Sequence, residues 1–243
     1  MDPDLLTQFA DIQWTHWWFR GRRAVVDDVL AHRLRGARPR RILEVGCGTG
    51  AMVPVLSKYG TVTGMDSSEE ATSECKKLFP EHIFVTGAVP DDLPREVFDV
   101  VAAFDVLEHI ADDVGTLRRI SELLVPGGLL VVTVPAYAWL WSAHDDLSHH
   151  VRRYRRRELR DALEAAGYAV ERATYFNTVL FPVAAGVRLL HRHVTHRQDT
   201  DDFALPPPRV NELLSSLFAG ERRPLRHVDL PFGVSVLALA RRR

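Results

Sequence analysis

Two sets of residues in this 243-residue chain have the types and spacing to do chemistry. The first begins where the aliphatic run Ile42-Leu43-Glu44-Val45 meets Gly46-Cys47-Gly48-Thr49-Gly50. Such a run reads as a buried parallel strand, and the glycines as a turn into a helix whose free N–H groups face a ligand. Glycine serves there because the backbone must adopt unusual φ values and let the ligand approach where a Cβ would collide. Asp66 follows Gly46 by 20 positions, the spacing at which a carboxylate meets ribose hydroxyls. The ligand therefore carries a ribose. Its other end is not a pyrophosphate, since the loop is not Gly-x-Gly-x-x-Gly and no Lys-Ser/Thr follows it. Glu44 would repel phosphates, and instead favours a cationic ligand bearing an ammonium and a sulfonium.

The second set lies much later, between Trp139 and Tyr154. It holds Trp141, His144, Asp145, Asp146, His149, His150, Arg152 and Arg153. A histidine titrates near neutral pH, so His144 or His150 could accept a proton, with Asp145 fixing the tautomer. The competing reading is a loop histidine that bonds backbone and holds the connection in place. The spacings match no common ligand pattern, so no metal is expected. An aromatic and basic stretch, Trp14 to Arg23, offers a third group. It reads as a helix packed on the domain by its tryptophans, as a lid whose aromatics shape a pocket and in which an arginine pairs with a carboxylate, or as both at once.

These residues need elements to position them. Strands are expected at residues 40–45, 61–65, 82–85, 98–104, 129–134, 168–175 and 234–240. Helices are expected within 5–35 and at 51–58, 69–78, 114–124, 157–166, 179–190 and 211–218. Strand and helix alternate, which predicts an α/β fold: a doubly wound, mostly parallel seven-stranded sheet. The reading is of a single domain: an N-terminal helical lid (1–38), a cofactor-binding core (39–175), an inserted substrate lid (176–230) and a closing strand (231–243). The inserted segment has apolar Phe181, Val183, Val187, Leu189 and Leu190, a polar Asp/His/Arg stretch and a Pro206-Pro207-Pro208 break.

Composition narrows the function. The formal net charge is -1 and there are two cysteines, Cys47 and Cys75. Near-neutral charge argues neither for a nucleic-acid binder nor for an enzyme of acidic substrates, and with no separate basic module visible no nucleic-acid partner is expected. So few cysteines argue against a disulfide framework and suit a reducing cytoplasm. No apolar run reaches the length of a membrane span, and the N-terminus lacks a signal-peptide core. The arginine run from Arg152 to Arg160 suggests a phosphate or an acidic membrane surface, or simply a solvated helix start.

The order of Leu43-Glu44-Val45-Gly46-Cys47-Gly48-Thr49-Gly50, Asp66, Gly87, Phe98-Asp99-Val100-Val101, Asp105-Val106-Leu107-Glu108-His109-Ile110 and Pro126-Gly127-Gly128 resembles that of a class I S-adenosylmethionine-dependent methyltransferase of the broad small-molecule group. The resemblance implies the Rossmann-like methyltransferase fold with S-adenosylmethionine as cofactor. It implies that Glu44, Gly46, Cys47, Gly48 and Gly50 hold the methionine portion, that Asp66 takes the ribose hydroxyls, and that Ser67 sits beside the adenine. Asp105 and Val106 would lie near the methionine amino group and sulfonium. Many relatives have an acidic residue after the strand-three glycine; this chain has Ala88, which moves adenine contact to the backbone of Ala88 and Val89. A subgroup pattern, Trp-x-x-His-Asp-x-x-x-x-His-x-x-Arg-Tyr, matches Trp141, His144, Asp145, His150, Arg153 and Tyr154. The implied reaction is methyl transfer to a small molecule, most readily to an oxygen of a glycosylated, lipid-linked or secondary-metabolite acceptor in a biosynthetic step. Trp18, Arg22, Trp141, Arg153 and Tyr154 are the expected substrate contacts. A non-methylating enzyme or regulatory protein of the same fold is the alternative. The expected partners are the acceptor alone, in a monomer or homodimer, with peripheral membrane contact compatible with the apolar insertion.

Overall fold

Alternate residues of the central strands face opposite sides of one sheet, and each set is covered by its own helices. Ile42, Val100, Ala102, Leu129, Val131, Leu237 and Leu239 form one buried face with Val25, Val26, Val29 and Leu30. Their sequence neighbours Leu43, Val45, Val101, Ala103, Leu130, Val132 and Ala238 form the other, with Leu117, Ile120, Leu159 and Leu163. The period of two is what a strand buried on both faces requires. Each buried Val, Leu or Ile among them contributes roughly 1.5–3 kcal/mol on burial.

The structure, a computed structural model, describes residues 10, 12–34, 36, 39–191 and 204–243. Its strands are β1 (Arg40–Val45), β2 (Gly60–Asp66), β3 (Ile83–Thr86), β4 (Phe98–Phe104), β5 (Leu124–Pro135), β6 (Tyr168–Phe176) and β7 (Ser235–Arg242). They form a single sheet in the order β3-β2-β1-β4-β5-β7-β6. Pairings among β1 to β5 are parallel, and β7 runs antiparallel to both β5 and β6. Strand order reverses at β1 and β4, so a crevice opens beyond their carboxyl ends.

The helices are α1 (Trp17–Arg33), α2 (Val53–Leu56), α3 (Glu69–Leu78), α4 (Asp113–Glu122), α5 (Ala143–Leu147), α6 (Arg156–Ala165), α7 (Phe181–His191), α8 (Pro208–Gly220) and α9 (Arg222–Leu225). Caps set the starts of α3 and α4: the Ser68 hydroxyl accepts from Ala71 N at 3.1 Å and Asp112 Oδ1 from Gly115 N at 2.9 Å. Glu69 and Glu70 add negative charge to the first turn of α3.

Several sequence expectations shift. The helix expected over 51–58 is regular only at Val53–Leu56, with Pro54 in its first turn, where no donor is needed. β5 starts at Leu124 rather than 129: Leu124 pairs with Phe98 before the Pro126-Gly127-Gly128 turn shifts the register. α5 and α9, both short, lie where no helix was expected. Leu5, Phe9 and the 192–203 stretch lie outside the described residues, as do the side chains of Val187, Leu189 and Leu190. No helix among the described residues is long and apolar enough to cross a membrane.

Between β6 and β7 the chain leaves the sheet and lays α8 along α1. Trp17 N donates to Asn211 Oδ1 at 2.8 Å, and Asn211 Nδ2 donates to the Thr15 carbonyl at 2.9 Å. Gly21 makes the close approach: a Cβ there would meet Phe218 Cδ1 at 2.2 Å and Phe218 Cβ at 2.7 Å. Phe218 is fully buried and has nowhere to retreat. Gly21→Val is therefore expected to cost about 1–3 kcal/mol, read as a lower urea midpoint at unchanged slope. An unchanged midpoint would show that α8 is free to move off α1.

Candidate functional site

The glycine turn after β1 is fixed by its neighbours before any ligand arrives. Gly46 N and Cys47 N both donate to the Met65 carbonyl, at 2.7 and 3.0 Å. Gly48, at φ +51, donates its N–H to Asp66 Oδ2 at 2.8 Å, while Asp66 Oδ1 takes Ser68 N at 3.0 Å. Each Asp66 oxygen keeps a further acceptor position. A Cβ on Gly48 would meet no atom within 4 Å, so this turn faces open space. Gly50 differs: a Cβ there would strike Phe79 at 2.7 Å, and Gly50 is not in the cavity wall. It shapes the turn from behind, which corrects its assignment as a ligand contact.

The open space is a cavity of about 730 Å³ that runs along the carboxyl ends of β1, β2 and β4. Glu44, Gly46, Cys47, Gly48, Asp66, Ser67, Ala88, Val89, Asp105 and Val106 all line it. Glu44 is 2% exposed and its Oε2 has no hydrogen-bond partner. Burial pushes its carboxyl well above the usual range; Cys75 and Asp66 push the same way, and Arg22 opposes them. A buried carboxyl of this kind calls for a cation. Ala88 N is already donated to Asp92 Oδ2 at 2.9 Å, so that N–H is engaged within its own turn.

α1 closes the cavity. Arg22 forms an ion pair with Asp105 and lies 4.4 Å over the Trp18 ring. Thr133 Oγ1 donates to the other Asp105 oxygen at 3.2 Å, and Asp105 holds φ at 57°. Trp18 and Arg22, both expected as substrate contacts, line the cavity, and the Arg22 guanidinium is paired with Asp105 of the chain itself. Gln13 and Thr49 tie the segment before α1 to the glycine loop, with Thr49 Oγ1 3.0 Å from Gln13 Oε1.

At the far end the cavity is walled by Glu108, His109, His144, Ser148, His150 and Arg153. Asp145 organises this end. It is fully buried; its Oδ1 accepts from His150 Nδ1 at 2.8 Å and Arg153 Nε at 2.7 Å. Its Oδ2 accepts from Arg153 Nη2 and Ser142 N, both at 2.8 Å. Burial alone would raise this carboxyl, yet the hydrogen bonds from His150 and Arg153, and the Arg153 charge, hold it well below the aspartate range. His150 thereby has Nδ1 fixed and Nε2 as its remaining nitrogen. His109 stacks edge-on to it, ring centroids 4.6 Å apart. Burial, then the His150 neighbour, pull His109 down to about 4, so its ring is neutral at neutral pH.

Two expected site residues, Tyr154 and Trp141, lie outside the cavity wall, and a third, Arg153, lies in it with most of its donors engaged. Tyr154 is 3% exposed and donates to Asp113 Oδ2 at 2.7 Å; it is core, outside the cavity wall. Trp141 is 36% exposed and donates to Asp146 Oδ1 at 2.9 Å, also outside the wall. Arg153 lines the cavity, but both edges of its guanidinium are committed, to Asp145 and to the Ala136 carbonyl. It positions Asp145 and keeps two further N–H donors, one on each Nη. His144 stays in the wall, its Nε2 3.3 Å from Ser148 Oγ.

Glu108 and His109 were quoted in a motif and given no role. Glu108 is fully buried, and neither of its oxygens has a partner beyond its own backbone N–H. Burial and the nearby Asp105 push it well above the carboxylate range. No sequence signal joins it to His150, because the two meet only through the adjacent ends of β4 and β5.

A family model described as a methyltransferase domain matches residues 17–173. A probable S-adenosylmethionine-dependent methyltransferase of Mycolicibacterium smegmatis is 32% identical over 160 residues, covering 64% of this chain and 61% of the relative. A ubiquinone biosynthesis O-methyltransferase of Bradyrhizobium sp. is 29% identical over 163 residues, covering 57% of this chain and 64% of the relative. The match thus spans less than two thirds of either relative. Among solved structures, a chain from the complex of the Haloferax volcanii Trm112 methyltransferase activator with a methyltransferase superposes with a TM-score of 0.62 at 19% identity, covering 98% of this chain and 94% of that one. At that identity the likeness concerns the fold.

Proposed function

The chain belongs to the methyltransferase domain family, and on that premise we propose that it transfers a methyl group from S-adenosylmethionine to an oxygen of a small acceptor. The observation that carries this reading is one continuous cavity with Glu44 and Asp66 at one end and the Asp145–His150 pair at the other. The residues present fit the cofactor. Glu44 has a buried oxygen without a partner for an ammonium, Asp66 keeps acceptor positions for ribose hydroxyls, and the Gly48 turn leaves clear the space a Cβ would fill. When bound, the cofactor supplies an electrophilic methyl on a sulfonium that departs as a neutral thioether. The backbone turn and Glu44 hold its methionine end; Ser67, Ala88 and Val89 border the adenine end.

The protein's remaining tasks are orientation and proton handling. The Arg22–Asp105 pair and Trp18 narrow the cavity beside Glu44, which sets the approach of the acceptor. His150 faces the acceptor hydroxyl through Nε2, and Asp145 fixes its tautomer. Leu180, Val183 and Ala184 of the α7 region and Leu214 of α8 make the outer wall apolar. This favours an amphiphilic hydroxyl compound, glycosylated or lipid-linked, and agrees with the oxygen acceptor named for the Bradyrhizobium relative. The reading places the enzyme in a cytoplasmic biosynthetic step, with the insertion as acceptor lid and without nucleic acid.

Calorimetric titration with S-adenosylhomocysteine beside NAD tests the premise. Binding of the former alone is expected, and Asp66→Ala should weaken it by roughly tenfold or more, the loss of charge-assisted hydrogen bonds of about 1.5–3 kcal/mol. Binding of NAD instead would sink the reading. Binding of S-adenosylhomocysteine with no methyl consumed across a panel of hydroxyl acceptors would favour the non-methylating alternative.

A further inference from the structure

Glu108, His109 and His150 each offer one ligand atom to a common point: those three atoms lie within 4.8 Å of one another. Sequence spacing hides the set, since His150 follows His109 by 41 positions. We propose that this triad binds a divalent transition metal of the zinc type at the acceptor end of the cavity. The inference rests on the methyltransferase reading for its use, but not for its existence.

The donor chemistry is that of two imidazoles and one carboxylate, a set that holds zinc in enzymes with an open coordination position. The surroundings are built for ligation. His150 Nδ1 is bonded at 2.8 Å to Asp145, which Arg153 and Ser142 hold in turn, so Nε2 is the nitrogen offered. The His109 ring hydrogen-bonds the Ser148 backbone. A carboxylate or carbonyl behind each imidazole is the arrangement that orients histidine ligands. Glu108 supplies the second, independent observation. It is fully buried in the cavity wall, and both oxygens lack partners beyond its own backbone N–H. A buried carboxyl with two open oxygens is costly unless something cationic completes it. Metal–ligand bonds of about 2.0–2.2 Å at tetrahedral angles would bring the three atoms to about 3.4 Å apart, a closure within reach of side-chain rotation.

The metal's open position faces the cavity and takes the acceptor's hydroxyl oxygen. Coordination lowers the hydroxyl pKa, and its proton leaves to water. The oxygen's electron pair then forms the new O–C bond as the C–S bond breaks, its pair staying on sulfur. His150 serves as ligand while the metal is held and as proton acceptor without it.

The test uses the full chain, stripped with a chelator and titrated calorimetrically with zinc chloride, with cobalt(II) absorption as a second readout. One zinc per chain is expected. Glu108→Gln and His109→Gln should each weaken it more than tenfold, and Asp145→Asn, which acts through His150, by about 10–100-fold. S-adenosylhomocysteine binding by Glu108→Gln and His109→Gln verifies that they fold. No zinc binding by a wild-type protein that binds S-adenosylhomocysteine overturns the metal and leaves the methyltransferase reading intact. Zinc binding unchanged in the ligand variants places the metal elsewhere and also overturns the proposal.

Discussion

Asp145→Asn is expected to slow methyl transfer by roughly 10²–10⁴-fold and to destabilise the fold by about 3–5 kcal/mol. Both effects follow from one carboxylate. Asp145 is fully buried and takes hydrogen bonds from His150, Arg153 and Ser142. An amide must turn its NH₂ either toward His150 Nδ1 and Arg153 Nε or toward Arg153 Nη2 and Ser142 N, so Arg153 loses half its fork in both orientations and His150 loses its fixed tautomer in one. The Arg153 charge then has no counterion in a buried setting. For a domain of this size the stability loss is a drop of roughly 6–20 °C in Tm. His150→Gln separates the two effects: it leaves the Asp145–Arg153 pair intact, so turnover should fall comparably while Tm moves little and S-adenosylhomocysteine affinity is kept. A His150→Gln enzyme with wild-type turnover would remove the dyad from the reaction.

The contrast between the two ends of the cavity explains what could be read from sequence. The cofactor end is built from segments each short enough to carry its own signature. Ile42 to Gly50 is a buried strand followed by a turn, and every residue type in it is dictated locally. Asp66 follows because β2 pairs with β1 in parallel register, Val45 opposite Met65. The acceptor end has no such local logic. Tyr154 and Trp141 carry the same aromatic chemistry as Trp18, yet Tyr154 is buried on Asp113 and Trp141 sits at the surface on Asp146. Only tertiary packing decides which aromatic meets a cavity. Gly50 was read with Gly46 and Gly48 because glycine spacing does not reveal direction; its missing Cβ makes room for Phe79 instead of a ligand.

α5 shows a signal present but unread. Ser142-x-x-Asp145 is a capping pattern of the kind that starts helices, and Asp145 Oδ2 does accept from Ser142 N and Oγ, at 2.8 and 3.2 Å. The same aspartate orients His150, so a cap and a site share one side chain. Glu108 shows the opposite case. It follows a buried strand within Leu107–His109, a short 3₁₀ turn where glutamate usually meets water. Its burial arises because Val151 N bonds the Glu108 carbonyl at 2.7 Å, drawing the later connection across it. A contact made 43 residues on leaves no mark on the local pattern.

Glu44→Gln should weaken S-adenosylhomocysteine binding by roughly 10–150-fold, the loss of a charge-assisted contact of about 1.5–3 kcal/mol, while sparing the free protein a stability loss that the wild type suffers as pH rises. Burial raises Glu44 most, Cys75 and Asp66 push the same way, and Arg22 lowers it without cancelling them. A carboxyl whose folded pKa lies above its unfolded value, about 4.3, gives stability that is full below that unfolded value. That stability is lost as pH rises through the folded pKa. Glutamine does not titrate, so the variant escapes the loss, and its stability should exceed that of the wild type increasingly across that window. Ligand binding reverses the situation, because an ammonium beside Glu44 favours the carboxylate and drives out its proton. Wild-type binding should therefore release up to one proton per chain, visible as a dependence of calorimetric enthalpy on buffer ionisation heat, and Glu44→Gln should abolish that dependence. Equal affinity and equal buffer dependence in the two proteins would show that Glu44 does not meet the ligand's cationic end. Buffer dependence retained in a variant of lowered affinity would assign the released proton to another group in the wall.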